Sequence, residues 1–183
     1  MNKIGITGSI ASGKSSVAKI LSKNNYPIFD ADLEVKKIYH KKIFKNKALK
    51  KLGVDNKDKI KKLLSKYPNK LRILEKIIHP MVRLELKSFI KKNKGEKILI
   101  FEIPLLIESK LTKNFNKIIF VNSKRRNRLA RFKKRGKNKK LFDILDKRQL
   151  RPVKKIKFCD FIINNNYSLK KLKKNVNLIQ KKI

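Results

Sequence analysis

Gly8-Ser9-Ile10-Ala11-Ser12-Gly13-Lys14-Ser15 matches the pattern G-x-x-x-x-G-K-[ST] at every fixed position. Each part of the pattern has a physical purpose. The glycines permit a tight backbone path along which successive N–H groups point inward at phosphate oxygens. A helix starting near Gly13 adds the positive end of its dipole. In such loops the lysine, here Lys14, reaches the β- and γ-phosphates, and the hydroxyl, here of Ser15, ligates Mg²⁺. The surrounding sequence supports the reading, because the apolar run Ile4-Gly5-Ile6 precedes the loop as a strand and a helical pattern follows. The stretch implies a nucleoside triphosphate site at the start of an α/β fold.

Working outward, short and continuously apolar runs at residues 3–7, 26–29, 98–101, 118–121 and 161–163 read as strands. Continuous rather than alternating apolar residues suit strands buried on both faces, as in a parallel sheet. Helical patterns lie between them. In the last, Leu169, Leu172, Val176, Ile179 and Ile183 recur at spacings of three and four, with Ser168 ahead as N-cap. The expectation is an α/β, P-loop NTPase-type, doubly wound parallel sheet of about five strands. Residues 33–94 hold about sixty mostly helical residues, too many for one crossover helix. They read as an inserted helical lobe. Residues 124–157 form a second helical, intensely basic segment that reads as a mobile flap or lid. The core then comprises about 1–32, 95–123 and 158–183 of one 183-residue domain.

At 40% hydrophobic content the chain can bury a core, which argues against disorder despite 36% charged residues. Fifty-two Lys+Arg against 13 Asp+Glu give a net charge of +39, a surface that favours polyanions. The excess is mostly lysine and comes with abundant Asn and Ile, the mixture an AT-rich genome encodes. Charge alone therefore says little about a partner. No standard nucleic-acid module is present and aromatic residues are only 8%, so no specific nucleic-acid partner is expected. The single cysteine, Cys159, excludes an intrachain disulfide. No apolar run approaches the ~18–20 residues of a membrane span, and no secretory signal precedes the loop. A soluble cytoplasmic protein is expected, and the sequence leaves its oligomeric state open.

Neither N-K-x-D nor D-x-x-G occurs, which argues against a GTPase. The length suits a small-molecule kinase better than a motor or helicase module. With only thirteen acids, their placement is informative. Asp30 and Asp32 follow the second strand, at the end where open α/β sheets present ligands. A carboxylate there can accept a hydroxyl proton as that oxygen attacks a γ-phosphate. Alternatively both acids cap the next helix. Glu102 follows the third strand and is either a Mg²⁺-holding acid or an ordinary strand-end carboxylate. Glu108 closes the apolar segment from Ile103, which reads as packing near the site. In the basic segment Arg128, Arg131 and Arg135 share one helical face. Arg131 and Arg135 are candidates to neutralise the transferred phosphoryl group.

Taken in order, these stretches resemble the dephospho-CoA kinase family. Ile4 to Ser15 is similar to its I-x-L-T-G-G-I-x-S-G-K-S, and Asp30-Ala31-Asp32 to its D-A-D. Leu74-Glu75-Lys76-Ile77-Ile78-His79-Pro80 is similar to L-E-x-x-x-H-P, and Ile103-Pro104-Leu105-Leu106-Ile107-Glu108 to V-P-L-L-F-E. Arg131 to Arg135 resembles R-L-x-x-R, and Cys159 to Asn165 resembles A-D-x-x-I-x-N. The resemblance implies transfer of the ATP γ-phosphate to the ribose 3′-hydroxyl of dephospho-CoA, with Mg²⁺ as cofactor. It implies Asp32, Lys14, Arg131 and Arg135 as catalytic residues. Gly8, Ser9, Ile10, Ala11, Ser12, Gly13, Lys14, Ser15 and Ser16 would bind the nucleotide, and Ser15 and Glu102 the metal. Asp30, Asp32, Lys36, His79 and Arg83 would meet the acceptor, His79 having a structural reading as well. Some positions depart from the family pattern. Ser9 and Ala11 replace glycines, and Lys36 an arginine, losing the bidentate fork. Glu102 replaces a frequent Asp, Leu145 an arginine four residues before Gln149, and Cys159 an alanine.

Overall fold

In the computed structural model, which describes residues 1–23 and 25–183, the run before the glycine loop is strand β1 (Asn2–Thr7). It is the middle strand of a five-stranded sheet. The others are β2 (Ile28–Asp30), β3 (Ile98–Glu102), β4 (Lys117–Asn122) and β5 (Phe161–Asn164), in the order β2-β3-β1-β4-β5. β1 runs parallel to both β3 and β4, and β4 parallel to β5. Ile4, Ile6, Leu99, Ile100, Phe101, Ile119, Phe120 and Val121 are fully buried, which is why these runs carry no polar alternation. The expected strand at 26–29 begins two residues later. Pro27 has no N–H to give the ladder, although its carbonyl accepts from the Ile100 N–H at 3.0 Å.

The chain forms two compact units, residues 1–29 with 93–183, and residues 30–92. In the first, helices α1 (Lys14–Ser22) and α9 (Leu169–Gln180) cover one sheet face. Val17, Ala18, Leu21, Leu172 and Val176 pack there on Ile4, Ile6, Ile100, Ile119, Val121 and Ile163. Ser168 caps α9 as expected, its hydroxyl accepting from the Lys171 N–H at 3.4 Å. Leu169 differs from its apolar pattern: in the first turn of α9, it stays exposed. The basic segment after β4 is three short helices, α6 (Arg125–Lys134), α7 (Lys139–Lys147) and α8 (Pro152–Ile156).

The second unit is helical throughout: α2 (Ala31–Ile38), α3 (Lys42–Leu52), α4 (Lys57–Lys66), a 3₁₀ turn (Pro68–Lys70) and α5 (Leu71–Lys92). Its own core joins Ile38, Phe44, Ala48, Leu52 and Ile60 to Leu74, Ile77, Ile78 and Met81 of α5. The last four recur at three, one and three residues, the apolar stripe of a helix. α4 is capped by Asn56, whose Oδ1 accepts from the Lys59 N–H at 2.9 Å.

Candidate active site

β1 lies where the connections diverge, with β3 on one side and β4 on the other. Open α/β sheets present ligands at the carboxyl ends of strands at such a switch point. The glycine loop leaves β1 there. Two of its glycines are required by space as well as by conformation. Gly8 has φ +150°, and a Cβ on it would lie 2.5 Å from the Val121 carbonyl oxygen. Gly13, the N-cap of α1, has φ +98°, and a Cβ would lie 2.1 Å from Asn165 Nδ2. Ala11 also takes a left-handed conformation, with φ +55°. That costs a non-glycine residue about 1 kcal/mol. Its methyl group is buried in an apolar cluster with Phe132 and Phe142, against which Ile10, Leu129 and Leu145 pack. Leu145 thus belongs to the cluster that seats the loop.

Lys14 is only 7% exposed, and its ammonium donates to the carbonyls of Gly8 at 3.3 Å and Ser9 at 3.2 Å. The Ser15 hydroxyl donates to Glu102 Oε1 at 2.8 Å. Glu102 is the last residue of β3 and is also 7% exposed. One hydroxyl and one carboxylate in contact form an all-oxygen donor set. That set fits Mg²⁺, which keeps several waters and takes phosphate oxygens alongside one or two protein ligands. A dedicated protein cage is absent, since among the described residues no group of three or more His, Cys, Asp or Glu could hold a metal. Ser16 is exposed on α1, beside Ser15.

The flanks of the loop are held by side chains that sequence reasoning missed or treated differently. The Ile10 N–H donates to Gln149 Oε1 at 2.8 Å. Arg128, read with Arg131 and Arg135 as one basic face, is buried. It forms a two-pronged pair with Asp146 (2.6 and 3.1 Å) and donates to the carbonyls of Ser123 (3.1 Å) and Ile10 (3.4 Å). Arg131 donates to the Ser12 carbonyl (3.3 Å), the Ser123 hydroxyl (3.0 Å) and the Asn165 carbonyl (2.8 Å). Burial, then the charge of Arg135, lowers the Arg131 pKa. Arg135 itself is exposed at the end of α6. Asn165 closes the arrangement: its Nδ2 donates to the Ser12 carbonyl at 2.8 Å, and its carbonyl accepts from Ser123 Oγ at 3.0 Å. The Asn165–Ser12 contact spans 153 residues of sequence, so no local pattern announces it.

The remaining candidates lie in the helical unit. Asp30 is an N-cap: its Oδ1 accepts from the N–H groups of Asp32 (2.9 Å) and Leu33 (3.1 Å). The capping alternative therefore describes Asp30. Asp32 is exposed in the first turn of α2, where the helix dipole favours a negative charge, and Lys36 follows one turn later. On α5, His79 is half-buried and Arg83 exposed one turn on. Cys159 is half-buried, its thiol donating to the Lys155 carbonyl at 3.3 Å. Burial, with the charge of Asp160, pushes its pKa up to about 11, so it remains a thiol at neutral pH.

A phosphate-cradling loop at the switch strand, a buried lysine, and a hydroxyl–carboxylate pair beside it define a P-loop α/β protein of the kinase type. The sequence model of the family described as dephospho-CoA kinase matches residues 2–171. The dephospho-CoA kinase of Fusobacterium nucleatum is 38% identical over 182 residues, 94% of either chain. That of Bartonella henselae is 33% identical over all of this chain and 98% of its own. Among solved structures, the Thermus thermophilus protein TT1252 superposes with a TM-score of 0.83 at 25% identity, covering 100% of this chain and 97% of that one. The dephospho-CoA kinase of Campylobacter jejuni gives 0.66 at 22% identity, over 99% and 96%. The chain belongs to the dephospho-CoA kinase family, a family of phosphotransferases.

Proposed function

We propose that this chain transfers the γ-phosphoryl group of ATP to the ribose 3′-hydroxyl of dephospho-CoA, giving coenzyme A and ADP. The observation that carries the reading is the family match across residues 2–171, which takes in the loop, the helical unit and the basic segment together. In this reading the loop N–H groups and the start of α1 hold the β- and γ-phosphates, and Lys14 supplies a cation to them. Residues Gly8 to Ser16 line the nucleotide. Ser15 and Glu102, already in contact at 2.8 Å, would hold Mg²⁺. Bound there, the ion would neutralise charge on the phosphates.

Asp32 is the base. It takes the proton of the 3′-hydroxyl as that oxygen bonds to the γ-phosphorus, while the bond from that phosphorus to the bridging oxygen breaks and its electrons leave with ADP. Asp30 fixes the helix turn that carries Asp32. Residues 30–92 bind the acceptor, with Asp30, Lys36, His79 and Arg83 as its contacts. Arg135 and Arg131 balance charge on the transferred group, Arg131 while also steadying Ser12. The segment 124–157 acts as a lid that excludes water. The setting is the cytoplasm.

The test is a mass-spectrometric assay with Mg·ATP and dephospho-CoA at near-physiological salt, with AMP and dTMP as parallel acceptors. CoA appearing with equal ADP is the expected result. Phosphorylated AMP or dTMP without CoA would remove the acceptor assignment, and absence of ADP from every reaction would remove the kinase reading.

A further inference from the structure

Lys155 has no exposed surface, in a chain whose other lysines are mostly solvated. A buried ammonium is tolerated only when paired and hydrogen-bonded. Its Nζ lies 2.8 Å from Glu108 Oε1 and donates to the Pro104 carbonyl at 2.9 Å. The same carbonyl accepts from the Thr7 hydroxyl at 3.1 Å, and Thr7 is the residue before the loop. Glu108 Oε1 also accepts from the Leu150 N–H at 3.0 Å. Leu150 follows Gln149, whose Oε1 holds the Ile10 N–H. Four residues before Leu150, Asp146 holds Arg128, which reaches the Ile10 carbonyl. Ile10 is therefore held at its N–H by Gln149 and at its carbonyl by Arg128, which Asp146 holds in turn, and the segment 146–150 is anchored to the turn after β3 through one oxygen of Glu108. The mechanism described above uses neither Glu108 nor Lys155.

We propose that Glu108 is a positioning residue for the nucleotide loop: paired with the buried Lys155, it holds Leu150, sets Gln149 against Ile10 and so fixes the loop in its phosphate-accepting path. The proposal rests on the reading of the loop as an ATP site. It predicts that nucleotide affinity follows the Leu150 contact and does not follow overall stability.

The experiment measures Mg·ATP affinity by calorimetry, well below the melting temperature, together with Tm. Lys155→Met leaves Glu108 unpaired but keeps the Leu150 contact, so Tm falls while affinity stays within about threefold. In Glu108→Leu with Lys155→Met both charges are gone and the Leu150 N–H has lost its acceptor. Part of the Tm returns, but affinity drops about tenfold, the size of one lost hydrogen bond. Gln149→Leu gives a similar drop, and adding it to the Glu108/Lys155 pair gives no further loss, because Glu108 and Gln149 act through one contact. Losses that add, or affinity that simply tracks Tm, would overturn the proposal. Glu108→Gln with Lys155→Met keeps the shape and the acceptor oxygen and leaves no unpaired buried charge, so it provides the folded variant. Wild-type affinity is expected for it, and a tenfold loss at unchanged Tm would assign the effect to charge and overturn the proposal. Wild-type protein that fails to bind Mg·ATP would instead sink the functional reading on which the proposal depends.

Discussion

The two units carry their candidate residues in different ways. In the unit of residues 1–29 and 93–183, several loop candidates are tied to distant segments: Ile10 to Gln149 and Arg128, Ser12 to Asn165 and Arg131, Ser15 to Glu102. In the helical unit of residues 30–92, Asp32, Lys36, His79 and Arg83 stand on helices seated by an apolar core of other residues. Asp30 is a local cap there, accepting from the Asp32 and Leu33 N–H groups. Within the loop the Ser12 N–H donates to the Ser9 carbonyl at 3.1 Å, and distant side chains hold the rest of its path. A helix turn needs only its face and its cap. Substitutions in the first unit should therefore spread to neighbours, whereas those in the second should act singly.

The largest expected effect tests the second half of that contrast. Asp32→Asn should lower kcat by about a thousandfold, the range of a lost general base, while Mg·ATP affinity remains unchanged. Full turnover would remove Asp32 from the chemistry. A loss of ATP affinity would show that the unit does not act separately. Next comes Gly13→Ala, which tests spreading. The added methyl would sit 2.1 Å from Asn165 Nδ2 at a backbone φ of +98°. It should destabilise the fold by about 3 kcal/mol and displace Asn165 from Ser12. Asn165→Ala in the same chain should relieve the clash but not the backbone strain, so that thermal unfolding shows partial rescue only. Complete rescue would mean that space alone requires the glycine. The smallest effect is Asp30→Ala, a cap deletion worth about 1 kcal/mol in urea unfolding. Its imprint on amide exchange should be confined to the first turn of α2. Changes reaching the glycine loop would erase the distinction between the units.

These differences follow the range of the signals in the chain. Strands were legible because both faces are buried and the runs are apolar without alternation. The second strand was misplaced by two residues because Pro27 changes which group can join the ladder. The loop was legible because its glycines are needed at fixed spacing. Helical spacing placed Arg128 beside Arg131, but said nothing about which way that face turns or that Arg128 is buried. Asp146, which holds Arg128, is eighteen residues away in sequence. Leu145 looked like a missing cation and is part of the apolar cluster under Ala11.

By itself the sequence determined the α/β alternation, the phosphate loop, the cap at Ser168 and the mostly helical nature of residues 33–94. All of these rest on periodicity, steric need or hydrogen bonds between near neighbours. Only the tertiary structure decided which of the many cations are buried partners and which are solvated surface. Lys155 is indistinguishable from its neighbours in composition, yet it is fully enclosed against Glu108 and Pro104. A charge enters the interior only where a partner and acceptors converge on it, and that convergence comes from chain segments that meet only on folding.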